Sequence, residues 1–262
     1  MLSNFHTHTT FCDGENTPEE IVLFAIDKGF PSIGFTGHVY TPFDLSYCMT
    51  DTDGYICEIK RLQKKYSGKI QIYLGIEEDA CSIANRSDYE YIIGSSHYIY
   101  RKGKYYPIDL STDTFSECFE SFDNDILAFA EGYYSSFCDY ILKRKPDIIG
   151  HFDLITKFDE TLNQNKKYQE IAEKYLKKAL ISNCIFEINS GAISRGIRKT
   201  PYPSEDLMYV LKKNDAKIML SSDCHNAKYL DFYFDEMKHL LKNIGFTYTY
   251  VIDNNTFKKI NI

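Results

Sequence analysis

Seven short apolar runs, each parted from the next by a longer stretch with amphipathic helical spacing, leave this chain few folds to choose from. The runs cover residues 2–5, 32–35, 70–76, 91–93, 147–149, 184–188 and 217–220. Runs this short between turn residues read as buried strands. Residues 18–28 read as a helix, with Thr17 as N-cap and Glu20 three residues further on as its reciprocal partner, and the Lys-rich stretch 166–180 as another. Strands alternating with helices build a parallel sheet. The wide gap over residues 98–145 must hold an inserted loop with one or two helices. With no Pro/Gly/Ser-rich linker and no internal repeat, residues 1–262 are expected to form a single domain.

A parallel sheet is either open or closed. Open doubly wound sheets carry a glycine-rich nucleotide loop after the first strand, whereas here His6-Thr7-His8-Thr9 stands in that place. A closed α/β barrel gathers its chemistry at the carboxyl ends of its strands, and the polar residues of this chain collect there.

His6 and His8 are one residue apart on a strand, so both imidazoles project to one face. Asp223 and His225 repeat that spacing after the last run. First and last strands of a barrel are neighbours, so the four side chains converge into a nitrogen and oxygen set suited to zinc, manganese or iron. The intervening runs add His38, Glu77, His97 and His151, each at a strand end and each shortly after a glycine, which reads as room for the backbone to crowd round a common centre. One histidine at a strand end is ordinarily a satisfied polar residue. Six of seven in register call for a common cause. His239, on a helical stretch, reads as a surface residue. Asp13, in the turn Phe11-Cys12-Asp13-Gly14, either reaches the same centre or shapes the turn. Asp79 shares a face with Glu77 and either supports the centre from behind or, the preferred reading, closes a turn.

Composition narrows the partners. A formal charge of -7 argues against a broad nucleic-acid surface. No apolar run approaches the roughly 20 residues of a membrane span, and the first residues are not signal-like, so a cytoplasmic location is expected. Eight cysteines without a CxxC pair read as reduced core residues, although Cys12 and Cys224 adjoin candidate ligands. The basic run Arg101-Lys102-Gly103-Lys104 either steers anions or is an ordinary surface turn, and Lys143-Arg144-Lys145 reads as a helix end.

His6-Thr7-His8, Asp13, Thr36-Gly37-His38, Gly75-Ile76-Glu77, Ser96-His97, Gly150-His151-Phe152-Asp153 and Asp223-Cys224-His225 together resemble the polymerase and histidinol phosphatase (PHP) superfamily along the whole chain. That resemblance implies a distorted seven-stranded (βα)7, TIM-like barrel with three divalent metal ions, zinc, manganese or iron. By analogy His6, His8, Glu77 and Asp223 hold one, Asp13, His38 and His225 a second, and Glu77, His97 and His151 a third, with Glu77 bridging. Phe11-Cys12-Asp13-Gly14, Ser96-His97-Tyr98-Ile99 with Ile108-Asp109-Leu110-Ser111, and Glu187-Ile188-Asn189-Ser190-Gly191 with Tyr202-Pro203-Ser204 resemble its monofunctional histidinol-phosphate phosphatases.

The activity so implied is hydrolysis of a small phosphate monoester, L-histidinol phosphate, by metal-activated hydroxide. The sixth strand is expected to bring Asn189, Ser190, Arg195 and Arg198 to the substrate, one arginine forking onto phosphate. Ser190 to Arg195 runs a residue longer than the family pattern, which leaves open whether Arg195 or Arg198 does so. Asp13, His225 and Arg195 are the candidate catalytic residues. The leaving-group proton comes from Asp13, a ligand histidine or bound water. Alternatives are a phosphoesterase of the same superfamily acting on phosphotyrosine or on nucleotide and oligonucleotide ends, and a metal-binding barrel without turnover.

Overall fold

The computed structural model describes residues 2–262. In chain order the elements are β1 (Ser3–Asn4), α1 (Pro18–Asp27), β2 (Ser32–Phe35), α2 (Thr52–Lys65), β3 (Gln71–Asp79), β4 (Tyr91–Ser95), β5 (Tyr98–Arg101), β6 (Lys104–Pro107), α3 (Thr112–Glu120), α4 (Ile126–Arg144), β7 (Ile148–Ile149), α5 (Lys166–Leu180), β8 (Ile185–Asn189), α6 (Gly191–Ser194), α7 (Glu205–Lys213), β9 (Ile218–Ser221), α8 (Phe234–Ile244), β10 (Tyr248–Asp253) and β11 (Thr256–Asn261). The seven expected strands form one parallel sheet in the order β1-β2-β3-β4-β7-β8-β9. A single parallel bridge, Thr7 to Cys224, closes it, with the His8 amide donating to the Cys224 carbonyl at 2.8 Å and the Cys224 amide to that of His6 at 3.0 Å. The barrel is distorted because β1 and β9 end before they meet. Among the described residues the backbone pairing across the seam comes from the segments carrying His6, His8, Asp223 and His225, and Asn4 Nδ2 adds a donation to Ser222 Oγ at 2.8 Å.

Inside the barrel the lower half is filled with apolar and aromatic side chains. Phe5, Tyr73, Tyr91, Ile93, Ile148, Ile185 and Met219 fill it. Tyr91 explains two of the glycines. Its hydroxyl donates to the Phe5 carbonyl at 2.7 Å, and a Cβ at Gly75 would lie 2.5 Å from its ring, while one at Gly34 would strike its hydroxyl. These glycines therefore make room for a core tyrosine below the strand ends, not for the polar centre above.

The antiparallel β10-β11 hairpin, which the apolar pattern did not reveal, caps the bottom with Val251 and Ile252 packed on that interior. Gln71 donates to the Asp253 carboxylate at 2.9 Å and accepts from the Asn254 amide at 2.9 Å, which fastens the cap to β3. Around the outside, a second apolar layer lies between strands and helices, with Ile21, Val22, Tyr55 and Ile59 on one side and Phe137, Leu176, Leu211 and Met237 on another.

The 98–145 insertion contains the helices expected, α3 and α4, and also a hairpin, β5-β6. Its basic turn faces α3, where the Arg101 guanidinium covers the Phe122 ring at 4.1 Å and Lys104 pairs with Glu117, so it is a surface turn. Arg144 is more than a helix end. It donates twice to the fully buried Glu78, at 2.9 and 2.5 Å, and Tyr140 adds a hydroxyl at 2.8 Å, which ties α4 to the strand carrying Glu77. Among the described residues no helix is long and apolar enough to cross a membrane, and all eight cysteines are unpaired.

Candidate metal centre

Six of the seven strand ends send side chains to the same place, and Glu77 sits at its middle with 1% of its surface exposed. Its two oxygens face different neighbours. Oε2 lies 3.2 Å from His6 Nε2, 3.5 Å from His8 Nε2 and 3.0 Å from His38 Nδ1. Oε1 lies 3.1 Å from His151 Nε2 and 3.5 Å from His97 Nε2, and accepts from Ser95 Oγ at 2.6 Å. Asp223 Oδ1 closes one group at 3.6 Å from His6 Nε2 and 3.2 Å from His8 Nε2. Asp13 Oδ2 closes another, 3.2 Å from His225 Nε2 and 3.6 Å from His38 Nε2. Asp13 is thus drawn to the centre rather than left to its turn. Asp223 takes a left-handed backbone, φ 47°, which few non-glycine residues adopt and which marks local strain at a functional position.

These donors fit cations. His6 Nε2, His8 Nε2 and Glu77 Oε2 are buried without a hydrogen-bond partner, and buried polar atoms are rarely left so. Imidazole nitrogens with carboxylate oxygens are the ligand types of zinc, manganese and iron. Burial works to raise the Glu77 pKa, yet His6, His97 and His38 overcome it and hold the carboxyl well below its ordinary range. Burial, reinforced by His225 and His38, pushes His8 down to about 3, leaving a neutral ring with a free lone pair. Cys12 Sγ stands 3.6 Å from His8 Nδ1, and burial pushes its thiol up to about 11, away from thiolate and hence from metal ligation.

Behind this ring stands a carboxylate that the sequence reading passed over. Glu187, 1% exposed in mid-strand, accepts from His6 Nδ1 at 2.6 Å and Ser221 Oγ at 2.5 Å through one oxygen. Through the other it accepts from the His151 amide and Asn189 Nδ2, both at 2.9 Å. Asp79 holds His97 by the backbone, accepting from its amide at 2.6 Å, with Nδ1 near but not hydrogen-bonded at 3.3 Å, while its other oxygen takes the Cys81 amide at 2.7 Å. It closes the expected turn and also orients a histidine. Carboxylates hydrogen-bonded to the far nitrogen of an imidazole fix its tautomer and strengthen it as a ligand. A lone acid within Ile185-Phe186-Glu187-Ile188 was the available signal.

A cavity of about 360 Å³ opens over the ring, bounded by Arg195, Tyr47, Tyr98, Asp109 and Lys157 among others. Of the expected substrate contacts, only Arg195 reaches it, with Nη2 3.2 Å from Asp223 Oδ2 and Nη1 3.0 Å from His225 Nδ1. Arg198 turns the other way. It is 3% exposed, donates to the carbonyls of Thr156 at 3.1 Å and Thr200 at 3.2 Å, and stacks on Tyr202. Asn189 is likewise occupied, donating to Glu187 and accepting from the Gly191 amide at 2.7 Å. Ser190 donates to the Phe232 carbonyl at 2.8 Å. All three are buried and bind the loop into the barrel, which corrects their assignment to the substrate. His239 is exposed on α8, as expected.

The model of the family described as "PHP domain" matches residues 4–191, well over half of the chain. The chain belongs to the PHP domain family. Among curated PHP relatives, a probable histidinol-phosphatase of Schizosaccharomyces pombe is 27% identical over 94% of this chain and 88% of its own length. The histidinol-phosphatase of Bacillus subtilis is 27% identical over 85% and 92%. The crystal structure of histidinol phosphate phosphatase from Lactococcus lactis, complexed with zinc, L-histidinol and phosphate, superposes with a TM-score of 0.71. It is 21% identical and covers 98% of this chain and 99% of its own. That likeness shows the same fold, so the barrel expected from the strand rhythm is the barrel of the PHP proteins.

Proposed function

We propose that this protein is a metal-dependent phosphomonoesterase that hydrolyses L-histidinol phosphate to L-histidinol and phosphate. The observation that carries the reading is Glu77, a buried carboxylate whose two oxygens face separate sets of imidazoles beneath a cavity edged by a guanidinium. The names of the relatives support the substrate, and the cavity falls in the size range of small-ligand sites. An oligonucleotide end is disfavoured by the formal charge of -7.

His6, His8, Glu77 and Asp223 would hold one cation, Asp13, His38 and His225 a second, and Glu77, His97 and His151 a third. Bound there, divalent cations would bring a water towards neutrality in pKa and offset phosphate charge. The chain supplies the rest. If His225 Nε2 serves as a metal ligand, the ring proton would sit on Nδ1 and donate to the Asp223 carbonyl at 2.9 Å. Arg195 Nη1 is then freed from His225 while Nη2 stays on Asp223. A guanidinium tethered at one nitrogen can turn the other to a phosphate oxygen and favour its developing charge. Asp13 is the most open of the ring carboxylates, at 33% exposure against 8% for Asp223 and 1% for Glu77. Its Oδ1, the oxygen not turned to His38 and His225, is the one placed to orient the attacking water. The unpaired cysteines suit a reducing compartment, the cytoplasm.

The deciding experiment is phosphate release by metal-analysed protein. Histidinol phosphate is expected to turn over much faster than p-nitrophenyl phosphate, and equal rates would overturn this substrate.

A further inference from the structure

Above the ring, the cavity wall is unlike its floor. Tyr47, Tyr98, Leu110 and Leu154 make an apolar and aromatic wall. The tyrosine hydroxyls are spent, Tyr98 donating to Asp44 at 2.7 Å and Tyr47 paired with Thr41 at 3.2 Å, so their rings rather than their oxygens are offered to a ligand. Into this wall is set a carboxylate that has no part in the metal ring. Asp109 lines the cavity and is only partly covered, with 22% of its side chain exposed. Lys157 Nζ holds it, donating to the Asp109 carbonyl at 2.6 Å and to Oδ2 at 3.1 Å, while no protein group hydrogen-bonds to Oδ1 among the described residues. An acid with one oxygen anchored and the other free is poor company for phosphate and good company for a cation.

We propose that Asp109 is the specificity-determining residue of the cavity, its free oxygen accepting from the ammonium of an aminoalkyl phosphate whose ring lies against Tyr47, Tyr98 and Leu110. Lys157 is its positioning residue. The inference rests on the phosphomonoesterase reading and explains how such an enzyme would choose its alcohol half. A heteroaromatic ring beside an ammonium, as in histidinol, matches both features of the wall.

The test uses metal-loaded full-length enzyme and two product-like inhibitors, L-histidinol and its deamino analogue 3-(imidazol-4-yl)propan-1-ol. Histidinol is expected to bind the native enzyme about ten-fold tighter, the worth of one charge-assisted hydrogen bond, and Asp109→Asn should erase that difference. The kcat/KM ratio of histidinol phosphate to p-nitrophenyl phosphate should fall by a similar factor. Equal inhibition of the native enzyme by the two alcohols overturns the proposal whether or not the variant folds, and so does a ratio that survives Asp109→Asn. The parent reading fails separately. If native enzyme does not favour histidinol phosphate, phosphoethanolamine against ethyl phosphate provides the same comparison: a preference lost in Asp109→Asn upholds the role of Asp109, and no preference ends it.

Discussion

Glu187 touches no substrate, yet it holds His6 by the side chain and His151 by the backbone, and so reaches two groups of donors at once. Glu187→Gln keeps the shape but loses the negative charge that sets the His6 tautomer. Metal retention after dialysis and kcat/KM should each fall ten- to a hundred-fold, on the order found for such supporting residues, and native metal content in the variant would refute the assignment. The two arginines of one loop should part company. Arg195→Met is expected to lower kcat/KM about a hundred-fold with little change in melting temperature, since its guanidinium edges the cavity. Arg198→Met should do the reverse, costing about 1–3 kcal/mol by stranding the carbonyls of Thr156 and Thr200, with turnover per folded molecule far less affected. Kinetics and thermal unfolding on the pair decide it. Residue spacing alone could not separate them, because what matters is which way a short helix, Gly191–Ser194, aims the chain after β8. The ring itself was legible, since strand alternation puts i and i+2 on one face whatever the tertiary detail. Glu187 and Asp109 were not, because an acid's role depends on the partner brought to it from a distant strand or loop.

Strands were read from apolar runs to within a few residues, but both hairpins were missed, for different physical reasons. In β10-β11 most of β11 is exposed, and the buried apolar residues are just the adjacent pair Val251 and Ile252 of β10. In β5-β6 the aromatic residues pack on one another, as Tyr100 does on Tyr105 at 4.7 Å, instead of forming a continuous buried run. The glycines were read as places of close approach to the polar centre, which fits Gly150, where a Cβ would lie 2.3 Å from Ser95 Oγ, but not Gly34 and Gly75, which make way for Tyr91. That distinction can be measured at Gly75 of β3. Gly75→Ala should destabilise by about 1–3 kcal/mol through overpacking against Tyr91, lowering the melting temperature by roughly 2–4 °C for each kcal/mol. A double-mutant cycle with Tyr91→Leu should recover part of the loss. Additive effects would mean that Tyr91 is not what the glycine accommodates.

For the molecule as a whole, the metal ring doubles as a seam, because among the described residues the only backbone pairing between the first and last strands lies among the segments that carry it. Stripping metal with a chelator should abolish turnover and also lower the unfolding temperature. A cation at a hundred times its dissociation constant stabilises the folded state by about 2.7 kcal/mol, so re-addition should restore both together. Acid should act in the same direction as the chelator, since protons compete for imidazole and carboxylate ligands, and added metal should move the acid limit to lower pH. Unchanged melting on chelation would disconnect the ring from the seam. The closing bridge also imposes an order in time. His6 and His8 leave the ribosome over two hundred residues before Asp223 and His225, and until those follow two of the three groups lack their full set of donors. A nascent chain short of Asp223 therefore has at most one finished group to fill, and the choice of cation at the other two falls to whichever are free once Asp223 and His225 have emerged.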